Sequence, residues 1–362
     1  VLSADEANYF IRYILISKTD HPIFSLLSAG LSTYDFYKDV KETLEKIIEK
    51  GQEEQISEED IAERVKGLFL YFEFYIWHVF PQHDYQVLLD KYSSLVIATV
   101  DVVTSWGMSV IPGSAGGVAV SVTGSASRGA MIQSSDLDLH LIFKDEPQKP
   151  AHDANLSREE EREQYPLSSF SHFMYSTLQT AIGNNHTLHI QSANVGDVVD
   201  IEEFREEVTS KAVAVARKRA TTEDLLTRFI DIKFVQGAKD VFHEFKRISD
   251  DYRHKHAERF AETFAEHVWN ARYMQYGGIQ DAYNRQPDIK ENGLRHLDSI
   301  LWEAHLIGIE SNEVERLIAE GYFTVEVVQE LAEIRLMFLR IRNILWDLKE
   351  AGLVKHKDIL TF

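Results

Sequence analysis

Two aspartates, Asp136 and Asp138, follow a Gly124-Ser125 pair within the segment Val120 to Leu141, with Arg128, Gly129 and His140 between or beside them. Carboxylates two residues apart can hold a divalent cation through oxygen ligands and leave other coordination positions to phosphate oxygens and water. Two such ions would clamp the attacking and leaving oxygens of an in-line displacement at phosphorus. Gly124 lets the backbone approach a phosphate closely, and the first turn of a helix behind it offers unpaired amides to the negative charge. Arg128 lies within reach of that turn and could pair with phosphate, and Gly129 allows the chain to bend back towards Asp136.

The alternation from Asp136 to Phe143 predicts a strand. Asp136, Asp138 and His140 would share one face, with the carboxylates on the solvent side. Leu137, Leu139 and Leu141 would take the other face and pack against a helix. Upstream, Val118 to Thr123 is apolar and β-branched and predicts a second strand running into Gly124-Ser125. Asp-x-Asp alone is common on exposed strands, and Gly-Ser alone is usually a turn. Strand, Gly-Ser, short helix and Ser-Asp-Leu-Asp-Leu together are far more specific.

This combination resembles the polymerase-β-like nucleotidyltransferases. More narrowly, the Gly124-Ser125-x-x-Arg128-Gly129 and Ser135-Asp136-Leu-Asp138-Leu motifs resemble the N-terminal domain of bacterial protein-PII uridylyltransferases. A second segment, Asp288 to Trp302, containing Lys290, Gly293 and Arg295, is similar to a signature in the helical linker domain of that family. Gly321 to Thr324 and Phe338 to Leu345 resemble the helices that close the same domain. The resemblance implies that Asp136 and Asp138 are catalytic and bind Mg²⁺ or Mn²⁺, and that Gly124, Ser125 and Arg128 bind the nucleotide phosphates. It further implies an NTP donor, with UTP expected, and a PII-like signalling protein as acceptor.

Departures from the family pattern qualify the reaction. His189, in Thr187-Leu-His189-Ile190, occupies the position at which the resemblance places a third carboxylate. Asp197 or Asp200 could substitute, His189 could itself accept a proton, or catalysis could be weakened. Asn292 replaces a glycine and His296 an aspartate of the linker signature. Lys290 and Arg295 either present positive charge to a triphosphate or an acidic loop, or form structural ion pairs. The family continues with a hydrolase domain and two sensing domains, so the end at Phe362 leaves a shortened chain or a short relative as alternatives.

A chain of 362 residues exceeds what one core usually holds. The expected fold is α+β, with a small mixed-sheet nucleotidyltransferase domain over residues 91–210. It is flanked by an N-terminal helical region, 1–90, and a C-terminal helical linker-like domain, 211–362. A net charge of −20 argues against nucleic acid as the main partner. Absence of cysteine excludes disulfides and thiolate zinc sites and fits a cytoplasmic setting. Leu68 to Phe80 is apolar but too short to span a membrane and contains Glu73, which fits a buried helix.

Other features read as structure. Ser3 and Ser57 each precede an acidic residue at capping spacing and predict helix starts. Gly51 to Gln55 reads as a polar loop, Pro112 to Gly117 as an ordinary turn and Ser157 to Glu163 as a solvated helix start. His83-Asp84 and the pair His254 and His256 lack further ligands at metal-binding spacing. From Lys211 onward helical periodicity dominates. The resulting reading is a metal-dependent nucleotidyltransferase. Its rivals are a non-catalytic nucleotide-binding or interaction module of the same fold and a nucleotidyltransferase acting on a small molecule.

Overall fold

Phe36, Val40, Leu44, Ile47 and Ile48 recur at helical spacing and are buried along one side of helix α1 (Phe36–Glu53). The computed structural model describes residues 36–74, 76–77, 84–144, 156–183, 186, 188–194, 229, 231–255, 297, 304 and 314–350. Ser57 starts α2 (Glu58–Phe74) as its spacing predicts: the Asp60 N–H donates to Ser57 Oγ at 3.1 Å, and the Ser57 hydroxyl donates to Asp60 Oδ2. Ser3 lies outside the described residues. Gly51, expected in a loop, is instead helical and buried, because a Cβ there would stand 2.6 Å from Ile61 Cγ1. Its missing side chain lets α1 and α2 meet.

The Asp84 carboxylate accepts from Gln86 N–H at 3.0 Å and caps α3 (Tyr85–Val110), which gives this half of the His83-Asp84 pair a local structural role. By length and composition α3 could cross a membrane, but most of it is buried inside the protein. The run Leu68 to Glu73 in α2 is likewise buried.

Strand β1 (Val118–Val122) leads into the single turn α4 (Gly124–Ser127), and the chain returns as β2 (Leu137–Phe143). Ser157 and Glu160 form a reciprocal capping box that opens α5 (Arg158–Gln164). Helix α6 (Pro166–Ala181) then crosses to β3 (Leu188–Asn194). The fourth strand, β4 (Lys233–Gly237), precedes α7 (Lys239–Lys255) and lies where helical periodicity was expected to dominate. Sheet order is β3-β2-β1-β4; β1 pairs antiparallel with β2 and β4, while β2 and β3 are parallel. This is the small mixed sheet of an α+β fold.

Alternate residues of β1 (Val118, Val120, Val122) and β2 (Leu137, Leu139, Leu141, Phe143) join one apolar cluster with α1, α2, α3 and α6. At the α3–α6 crossing, Trp106 meets Phe173 edge to face at 5.0 Å between centroids.

The chain divides into two compact units. One comprises residues 2–196 with 233–244 and holds the sheet; the other comprises 197–232 with 245–362. In the second, Phe229 packs edge to face on Phe245, and α8 (Val314–Ala319) precedes α9 (Val325–Glu350). Gly321, at φ +80°, ends α8 as the N–H of Tyr322 reaches the Leu317 carbonyl and its own N–H reaches that of Ile318.

Candidate active site

Thr123 prolongs the pairing of β1 by donating its N–H to the Asp138 carbonyl at 3.1 Å. The backbone then turns through Gly124 at φ +67°, so close to β2 that a Cβ would stand 3.0 Å from Asp138 Oδ2. The sequence pair Gly-Ser and Asp-x-Asp are thereby side by side in space. Ser125 gives its carbonyl to the Ala130 N–H at 2.9 Å, and Arg128 ends α4 with its N–H on the Gly124 carbonyl at 3.3 Å. Both residues are half-buried.

Asp138 lies within β2 and is half-buried, as expected of a residue on the accessible side. Asp136 precedes the strand, which begins at Leu137; it ends the connecting turn rather than continuing the pleat. His140, expected on the face of the carboxylates, is 1% exposed, its Nε2 lying 2.9 Å from the Thr123 hydroxyl. That contact occupies the side chain of the residue at the N-cap of α4, which makes no capping bond.

His189 stands in β3 directly across from Asp138 in the parallel register, and is exposed. Register partners in adjacent strands share a face, so the imidazole belongs to the same side of the sheet as the Asp138 carboxylate. Among the described residues, no group of three His, Cys, Asp or Glu side chains is arranged to hold a metal ion. Asp197, Asp200, Lys290 and Arg295 lie outside the described residues.

Sequence reasoning did not identify the buried group behind the turn. His186 Nδ1 is 2.7 Å from the Ser135 carbonyl, so this nitrogen carries a proton and donates it. Its Nε2 lies 2.8 Å from the Tyr92 hydroxyl, which in turn lies 2.7 Å from Glu73 Oε1. One phenolic proton serves Glu73 or His186, not both. Burial draws His186 down to about 4, opposed by the Ser135 hydrogen bond and the nearby Asp136 charge. Burial, reinforced by Glu73, holds Tyr92 well above the ordinary phenol range. The sequence signal was Glu73 itself, the one carboxylate within the apolar run Leu68 to Phe80; its partners come from distant segments.

The turn is tied down elsewhere too. Met131 N–H donates to Ser93 Oγ at 3.0 Å, and Ile132 and Ser135 bond each other through the Ser135 hydroxyl oxygen and the Ile132 carbonyl. Gly129 adopts φ +65°, consistent with its expected bend.

No curated protein matches the chain. Residues 254–350 match the family model described as GlnD PII-uridylyltransferase, a span that includes Asp288 to Trp302 and the α9 motif and lies outside Gly124 to Leu141. Over residues 254–350, the chain is therefore similar to the PII-uridylyltransferases, as its second signature indicated.

Proposed function

We propose that the protein is a metal-dependent nucleotidyltransferase that moves UMP from UTP to a hydroxyl of a PII-like protein in the cytoplasm. The observation carrying this reading is the approach of Gly124 to Asp138, so close that a Cβ on the turn would stand 3.0 Å from the carboxylate. The family match over residues 254–350 supports the choice of uridylyl transfer and PII.

Asp136 and Asp138 are hard oxygen donors at one end of β2 and fit Mg²⁺ or Mn²⁺. Such an ion, when bound, supplies neutralising charge to the triphosphate. Backbone N–H groups of the Gly124-Ser125 turn orient the β- and γ-phosphates, and Arg128 adds positive charge beside them. The acceptor oxygen forms a bond to the α-phosphorus as the bond to the β-phosphate bridging oxygen breaks. Pyrophosphate leaves and the hydroxyl proton passes to solvent or to a nearby base. In this reading His189, the register partner of Asp138, receives it. Alignment and charge neutralisation account for most of the acceleration.

The test is transfer of label from α-labelled UTP to a PII protein with Mg²⁺ or Mn²⁺, with ATP, GTP and CTP in parallel. Asp136→Asn and Asp138→Asn are expected to lower the rate by at least about a hundredfold without altering unfolding, the scale of losing positioned transition-state charge. Full activity in either variant would overturn the assignment. The exposed imidazole across from Asp138 favours a second reading, a nucleotide-binding module without transfer. That module would bind UTP in a Mg²⁺-dependent way and release no pyrophosphate.

A further inference from the structure

We propose that His186 is a positioning residue for Asp136, acting through the Ser135 carbonyl and held in place by Tyr92 and Glu73. The inference rests on the assignment of Asp136 as a metal-binding carboxylate. It adds a set of buried residues that no motif in the chain marks.

The peptide group joining Ser135 to Asp136 is planar, so its oxygen, its nitrogen and the Asp136 Cα move as one rigid body. His186 Nδ1, 2.7 Å from that oxygen, fixes the plane from behind. The Ser135 side chain and backbone are committed to Ile132, which fixes the turn from its other side. Asp136 thus leaves the turn from a backbone held on two sides while its own side chain is half-buried.

The imidazole is itself held. Its Nε2 accepts from the Tyr92 hydroxyl of α3 when the phenolic proton turns to it, and Glu73 of α2 competes for the same proton from the other side. Phe69 packs edge to face on the ring at 6.2 Å, and Trp77 lies against Tyr92 at 5.4 Å. Glu73, Tyr92, Ser135 and His186 are all at most 5% exposed. A buried polar row costs free energy unless its members are satisfied. His186 also lies just before β3, whose His189 is the register partner of Asp138. One ring therefore links the approaches to both strands that carry the site.

The experiment uses the full chain and four proteins: wild type, His186→Ala, His186→Asn and Tyr92→Phe. Mn²⁺ binding is followed by the electron paramagnetic resonance signal of the free ion, alongside thermal unfolding and the kcat and KM of UTP transfer. Asparagine can place an amide N–H near the Nδ1 position. Loss of an outer hydrogen-bond partner commonly weakens a metal site by roughly 10–100-fold. Expected results are Mn²⁺ affinity and kcat each about tenfold lower in His186→Ala, recovery to within about threefold in His186→Asn, and a smaller loss in Tyr92→Phe. Mn²⁺ binding and kcat at wild-type levels in folded His186→Ala would overturn the inference, as would an equal loss in His186→Asn. Should His186→Ala not fold, Tyr92→Phe decides: undiminished Mn²⁺ affinity overturns the proposal. A wild-type protein that neither binds Mn²⁺ nor transfers UMP overturns the functional reading, and this inference with it.

Discussion

Gly124 is the residue at which backbone geometry and chemistry meet, since φ +67° strains any other residue and a side chain there would press on the Asp138 carboxylate. Gly124→Ala is expected to cost on the order of 1–2 kcal/mol in unfolding free energy, the penalty of the left-handed region for an L-residue. Transfer activity should fall further, because the methyl group displaces the carboxylate; urea unfolding and labelling together check both. A second expectation concerns acid. The folded-state value of about 4 for His186 lies below its ordinary 6.5. Between those values the unfolded chain binds a proton that the folded chain does not, so stability rises with pH. The contribution, roughly 3 kcal/mol, is complete above about pH 6.5 and is lost as pH falls to 4. Unfolding of wild type and His186→Asn between pH 7 and pH 5 should show a shallower slope in the variant; parallel slopes would contradict it. The placement of Asp138 beside Gly124 was legible because local spacing specifies a turn between two strands. His186 was not legible, because its burial depends on Tyr92 and Glu73 from distant helices. The burial of His140 was not legible for a related reason: alternation assigns a face, while its partner, the Thr123 hydroxyl, comes from the end of another strand.

Helix caps and strand alternation were read from local sequence because each is decided within a few residues, as at Ser57 and Ser157. Packing between elements was less visible. Gly51 looks like a loop residue until Ile61 of the next helix is brought against it. Similarly, the five residues Lys233-Phe-Val-Gln-Gly237 carry little periodic signal and form β4 because β1 offers an edge. Gly107 in α3 extends this logic to a prediction. Alanine there gains roughly 1 kcal/mol of helix propensity. Its Cβ, however, would stand 2.8 Å from Phe173 Cδ1, whose ring is also held by Trp106. Overpacking of this kind costs about 1–3 kcal/mol, so Gly107→Ala should lower the thermal midpoint. A raised midpoint would mean that the Phe173 ring yields.

At the scale of the whole molecule the net charge of −20 sets a background of self-repulsion. Raising NaCl from about 20 to about 200 mM shortens the Debye length to below about 10 Å, and the thermal midpoint is expected to rise. A fall would show that attractive pairs dominate, such as Arg158 and Arg162 converging on Glu58. The overall α+β class was legible from the order of alternating and helical segments, but the assembly of the sheet was not. Strand β4, far along the chain, completes the side of β1 opposite β2. As the chain leaves the ribosome, β1 and β2 can pair early while the other margin of β1 waits for Lys233 to Gly237. A fragment cut after β3 would carry that margin open, an exposed template for joining other chains. Solubility in any dissected form of this protein therefore depends on five residues well beyond the motif that first draws attention to it.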